Sequence, residues 1–167
     1  PKRWVPPSTE REIDICSRFS GMPRRRATVC FHREKLREIL GDEVSTDRLG
    51  RSAYFKEMEA SKAVISPFGW SELAFRDFEA FLSGCLLIKP DMGHLETWPD
   101  IYQDGVTYVS YDWSLDDVAD LIERVAANFQ EYLDIARSGQ ANYRNAILGD
   151  HARDAFVARF AGIVRSG

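Results

Sequence analysis

The chain has 167 residues, 44% hydrophobic and 29% charged; this is the balance of an ordinary globular domain and excludes a disordered or fibrous protein. Its length supports a core without disulfides or a metal, and its longest apolar runs, such as Cys85–Ile88, fall far short of a membrane span. The net charge of −4 conceals an asymmetry, because residues 1–40 hold ten Lys/Arg against five Asp/Glu and the rest holds twelve against twenty-one.

Residues 1–9, with Pro1, Pro6 and Pro7, read as an extended lead-in or linker. Ile13-Asp-Ile-Cys-Ser-Arg-Phe19 alternates as a strand. Ser20-Gly21-Met22-Pro23 follows as a tight turn and opens a helix over about 24–40, which Gly41 stops. A short strand is expected near Glu43–Thr46, then a helix capped by Ser52 and running through Tyr54, Phe55 and Met58. Ala63-Val-Ile-Ser-Pro67 is a compact apolar strand ended by the Phe68-Gly69 turn. A helix over Ser71–Ser83, a strand over Cys85–Lys89, a helical turn within His94–Ile101 and a strand over Val106–Tyr111 come next. From Ser114 onward the pattern is helical: Leu115–Ala127, Phe129–Arg137 and about 141–164, with Gly139 and Gly149 as breaks.

Alternating near-continuous apolar strands and helices predict a mainly parallel, Rossmann-like α/β sheet covered on both faces. The expected organisation is a lead-in over 1–9, the sheet domain over 10–138 and a helical extension over 139–167. Such sheets bind ligands beyond the carboxyl ends of their strands, here Ser17–Gly21, Ser66–Ser71 and Lys89–His94.

The start, PKRWVPPSTE, lacks the apolar core of a secretory signal and lacks a Met, so a processed piece of a longer chain is expected. Cys16, Cys30 and Cys85 form no C-x-x-C pair and read as buried thiols of a cytoplasmic protein. His32, His94 and His151 lie too far apart for ligand spacing, and no bound metal or cofactor is expected. The basic end, focused in Arg18 and Arg24–Arg26, suits a small anionic ligand or an acidic partner surface. Overall acidity and the lack of a recognition motif argue against nucleic acid.

On the helix over Ser71–Ser83, Phe75, Phe78 and Leu82 are expected to face the core. Glu72, Arg76, Glu79 and Ser83 share another stripe. One reading of that stripe is a solvated face with Glu–Arg pairs. The other places it at the ligand edge, where a helix start favours phosphate, a carboxylate accepts sugar hydroxyls and a guanidinium grips an anionic oxygen. Arg24–Arg26 read either as a solvated helix start or as a contact to an anion or acidic partner, and Arg18 as a ligand candidate at the strand end. His94 could contact a phosphate or base, or cap the next turn. No nucleophilic triad and no separated carboxylate pair stands out.

Ala63-Val-Ile-Ser-Pro-Phe-Gly-Trp-Ser-Glu72, Phe75-Arg-Asp-Phe-Glu-Ala80 and Ser83-Gly-Cys-Leu-Leu-Ile88 together resemble the donor-binding half of GT-B-type glycosyltransferases, the group-one and exostosin-like set. The resemblance runs loosely over 10–138 and is specific over 63–110, where Gly105-Val-Thr-Tyr108 looks like the turn and strand after the sugar-binding loop. It implies that Glu79, of the Glu-Ala pair, holds the ribose hydroxyls of a nucleotide-sugar and that Arg76 lies near the diphosphate or packs the site. It places the turn from Phe68 through Gly69 and Trp70 to Ser71 by the donor phosphate or sugar. The family's Glu-x7-Glu spacing is not kept: Ser71 stands eight residues before Glu79, and Glu72 is one position late. The implied activity is sugar transfer from a nucleotide-sugar to an acceptor hydroxyl without a metal. An N-terminal acceptor-binding domain of the same parent chain would be the partner, and this part alone would be inactive. The alternative is a non-catalytic Rossmann-like interaction module or a degenerate transferase.

Overall fold

The structure is a computed structural model that describes residues 4–19 and 27–166; the expected turn at Ser20–Pro23 and the run Arg24–Arg26 lie outside the described residues. Ten elements follow in chain order: β1 Ile13–Cys16, α1 Ala27–Leu40, α2 Arg51–Ala60, β2 Ser61–Ile65, α3 Phe75–Ser83, β3 Leu86–Pro90, β4 Val109–Tyr111, α4 Val118–Ala127, α5 Phe129–Leu148 and α6 Ala152–Ser166. The four strands form one sheet in the order β1-β2-β3-β4, every pair parallel, with Ile15 opposite Ala63, Ala63 opposite Leu86 and Ile88 opposite Val109. All strand ends therefore emerge at one edge.

Alternation along β2 and β3 splits the core into two layers. Ala63, Ile65, Leu86 and Ile88 point to one face, where Leu36 and Leu40 of α1, Val118, Leu121 and Val125 of α4, and Phe129 and Leu133 of α5 cover them. Val64 and Leu87 point to the other, against Met58 of α2 and Ala80 and Phe81 of α3. Because both faces are covered, these strands carry no polar alternation, and the continuous apolar runs in the sequence have this cause.

Several expected elements differ. No strand forms at Glu43–Thr46; instead the Thr46 carbonyl accepts the Phe19 amide at 3.2 Å and the Thr46 hydroxyl accepts Arg37 Nε at 2.9 Å, so the segment braces the end of β1. The third helix starts at Phe75, not Ser71, because the Asp77 carboxylate accepts the Ala74 amide at 3.1 Å and closes the first turn. Its core face is Asp77, Ala80 and Phe81, while Phe75 is 88% exposed. No helical turn forms within His94–Ile101, where the Trp98-Pro99 bond is cis.

The break expected at Gly139 does not occur, and α5 runs unbroken to Leu148. A Cβ on Gly139 would stand 2.3 Å from the Thr107 carbonyl oxygen and 2.8 Å from the Phe81 ring. The glycine thus serves close packing rather than a turn. Gly149 does end the helix.

The lead-in is pinned at the sheet edge opposite the strand ends. Gln140 Nε2 donates to the Val5 and Phe81 carbonyls at 2.8 and 2.7 Å, and the Arg11 guanidinium donates to the Ser61 and Ser83 carbonyls at 2.6 and 2.7 Å.

Candidate functional site

A cavity of about 390 Å³ opens at the carboxyl edge of the sheet. Of the eight residues the sequence singles out, Arg18, Gly69, Trp70, Arg76 and Glu79 line it. Arg18 leaves the end of β1 and is held by Glu57 of α2, Nε lying 3.0 and 2.9 Å from the two carboxylate oxygens, and by Ser45 Oγ. Arg76 and Glu79 project from the first two turns of α3, where a three-residue spacing keeps them on one face. Arg76 Nη2 donates to the Arg18 carbonyl and clips α3 to β1. Its Nε and Nη1 are buried and have no hydrogen-bond partner among the described residues. Glu79 accepts a hydrogen bond from the Tyr54 hydroxyl at 2.8 Å.

The other three stand aside. Ser71 turns its hydroxyl onto the Leu73 carbonyl at 2.6 Å. Glu72 precedes the helix, so it leaves the expected stripe, and its carboxylate lies 3.2 Å from His94 Nε2. His94 also packs edge-on against the Trp113 ring, 5.2 Å between centroids. Glu72 and His94 thus form a contact of their own beside the cavity.

Among the polar side chains lining the cavity, sequence reasoning missed three: Arg33, Arg48 and Tyr54. Arg33 is 7% exposed on the inner face of α1, with Nε donating to the Phe68 carbonyl at 2.7 Å and the guanidinium over the Phe19 ring. Burial, then the nearby Arg76 and Arg37, push it down to about 10. Its signal was present, because Arg33, Leu36 and Leu40 share one helical stripe and a cation there occupies an apolar position. Four arginines line the cavity against one lining carboxylate, and with Glu57 offsetting Arg18 from behind, the cavity keeps a net positive charge.

Beneath the cavity Asp77 is fully buried. Its carboxylate accepts the Ser66 hydroxyl, the Tyr102 hydroxyl at 2.7 Å and the Ala74 amide, and pairs with Lys89 Nζ at 3.2 Å. Burial pulls the Lys89 ammonium down from its ordinary range, and the charge and hydrogen bond of Asp77 oppose that shift. This cluster locks the ends of β2 and β3 to the start of α3, which sets where Gly69, Arg76 and Glu79 stand. Among the described residues no cluster of His, Cys, Asp and Glu could hold a metal ion, and no helix is long and apolar enough to cross a membrane.

The sequence matches no protein-family model and no curated protein. Its fold is similar to several solved structures. TarM aligns with a TM-score of 0.58 at 15% identity, over 97% of this chain and 37% of that one. HepE from Anabaena, solved with UDP-glucose, aligns with a TM-score of 0.53 at 13% identity, over 88% of this chain and 49% of that one. The pneumococcal O-GlcNAc transferase GtfA, solved with UDP and GlcNAc, aligns with a TM-score of 0.51 at 16% identity, over 97% and 38%. The chain therefore has the Rossmann-like fold found in part of these GT-B glycosyltransferases and spans about half of their length or less.

Proposed function

We propose that this chain is the donor nucleotide-sugar-binding half of a glycosyltransferase that moves a sugar to an acceptor hydroxyl. One observation carries the reading: a single carboxylate, Glu79, and four arginines converge on one cavity at the ligand edge of a parallel sheet. A nucleoside diphosphate has the matching chemistry, with ribose hydroxyls for the carboxylate and a polyanion for the guanidinium groups. UDP or UDP-sugar in the HepE and GtfA structures supports the same assignment.

In this reading Glu79 accepts the ribose hydroxyls, and Arg18, Arg33 and Arg76 face the diphosphate. The turn from Gly69 and Trp70 to Ser71 and Glu72 borders the sugar, with His94 behind it. Transfer breaks the bond between the sugar carbon and the phosphate oxygen, and the acceptor oxygen takes its place. Fixed arginines stabilise the charge left on the departing diphosphate, and need no reorganisation to do so. The acceptor and the base that takes its proton come from an N-terminal domain of the same parent chain, so this part alone is inactive. We place the protein in the cytoplasm. Cys16 and Cys85 support this as buried thiols, the first pushed up to about 11 by burial and therefore unreactive.

The reading is tested by titrating the chain with UDP, GDP and ADP and their glucose conjugates, following the melting temperature. At least one nucleotide is expected to raise it at millimolar concentration. No stabilisation by any of them would favour the second reading, a non-catalytic interaction module. That alternative has its own observation in α6, where Phe156, Phe160 and Ile163 are 52–59% exposed.

A further inference from the structure

Helix α2 supplies none of the sheet's ligand-edge loops, yet it touches both charged ends of the cavity. Glu57 holds Arg18, and three residues earlier on the same helix Tyr54 donates its hydroxyl to Glu79 Oε2 at 2.8 Å. The Tyr54 ring is fixed by packing against the core layer of α2 and α3 and by an edge contact to Phe55 at 5.3 Å. A carboxylate on a long side chain turns broadly about its last torsion. A hydroxyl pinned on one oxygen removes that freedom and leaves the other oxygen to accept from a ligand.

We infer that Tyr54 is a positioning residue for Glu79: its hydrogen bond to Oε2 sets the carboxylate plane so that Oε1 presents to ribose hydroxyls in the cavity. This rests on the donor-binding reading above. Burial and the Glu79 charge both raise the Tyr54 hydroxyl's pKa far above neutral, so it stays a donor at every working pH. The pair divides the labour of the site. Tyr54 acts on selection of the sugar ring of the nucleoside, and the arginines act on the phosphates.

The test uses calorimetric titration of the whole chain with UDP, GDP and ADP, their 2′,3′-dideoxy forms, and inorganic pyrophosphate. Tyr54→Phe keeps the ring and removes only the hydroxyl. The native chain should prefer the ribose form by about tenfold. In Tyr54→Phe that preference should fall below about threefold while pyrophosphate affinity stays within about twofold. Glu57→Gln, which loosens the other contact of the same helix, should leave the ribose preference intact. The inference is overturned if Tyr54→Phe keeps the full preference, if pyrophosphate affinity falls in step with it, or if Glu57→Gln erases the preference equally. Failure of the donor reading is a separate result: no nucleotide binds the native chain, or Glu79→Ala keeps the ribose preference.

Discussion

Glu79 concentrates the functional argument at the scale of one residue. It is the sole carboxylate among the arginines of the cavity, and its exchange for Ala removes an acceptor without opening the core. Glu79→Ala should weaken binding of the preferred nucleoside diphosphate by about 1–3 kcal/mol, with a melting temperature near that of the native chain. Unchanged affinity by calorimetry would remove it from the site. His32 offers a second test. It stacks between the Phe68 and Tyr111 rings, and neither ring nitrogen has a hydrogen-bond partner among the described residues. Burial first, then Lys35 and Arg33, lower it from the ordinary 6.5. The unfolded chain therefore binds a proton that the folded chain resists. Stability should rise as pH increases toward 6.5 and fall on acidification below it. For one proton the slope cannot exceed about 1.4 kcal/mol per pH unit. His32→Phe should flatten the dependence of urea midpoints between pH 5 and 7, and an unchanged slope would assign it to other groups.

Among elements, α3 carries the most. Its sequence places Arg76 and Glu79 on one face and Asp77 on the opposite, buried one. Asp77 joins Ser66 after β2, Lys89 in β3 and Tyr102 in the following loop, so one carboxylate registers three segments. Replacing it leaves the Lys89 ammonium buried and uncompensated. Asp77→Asn should cost roughly 3–5 kcal/mol in denaturant unfolding. The double variant Asp77→Asn, Lys89→Met should recover a large part of that loss, because it removes the orphaned charge. A double variant no more stable than the single one would mean that the hydrogen bonds of Asp77 matter more than its ion pair. The sequence pattern alone put Phe75, Phe78 and Leu82 on the buried face. Phe78 does pack against the core, but Phe75 is exposed and the fully buried stripe centres on Asp77, because the Asp77–Lys89 pair is a polar contact that apolar periodicity does not register.

On the scale of the whole molecule, an acidic chain displays a basic cavity. The net charge is −4, while the cavity holds Arg18, Arg33, Arg48 and Arg76. Attraction of an anion to it is partly screened in solution, where the Debye length shrinks from about 10 Å at 0.1 M salt to about 3 Å at 1 M. Affinity for the nucleoside diphosphate should drop roughly fivefold between 0.05 and 0.5 M salt, with little change for the uncharged nucleoside. Equal salt dependence of both would place the arginines away from the phosphates.

The sequence by itself determined the parallel α/β class, because strands buried on both faces must be apolar at every position and helices must intervene. It also pointed to the carboxyl edge of the sheet and to five of the residues that line the cavity there, since those lie at strand ends and on the first two turns of one helix. Only the tertiary structure decided the rest. It took Glu72 off the helix, paired it with His94, and turned Ser71 away. It brought in Arg33 from a helix 36 residues before Gly69, and Tyr54 from another. The physical reason is the range of the interactions. Hydrophobic period and helix spacing are local and repeat along the chain, whereas a buried guanidinium or a hydroxyl aimed at a carboxylate gains its meaning from a partner brought near only by packing.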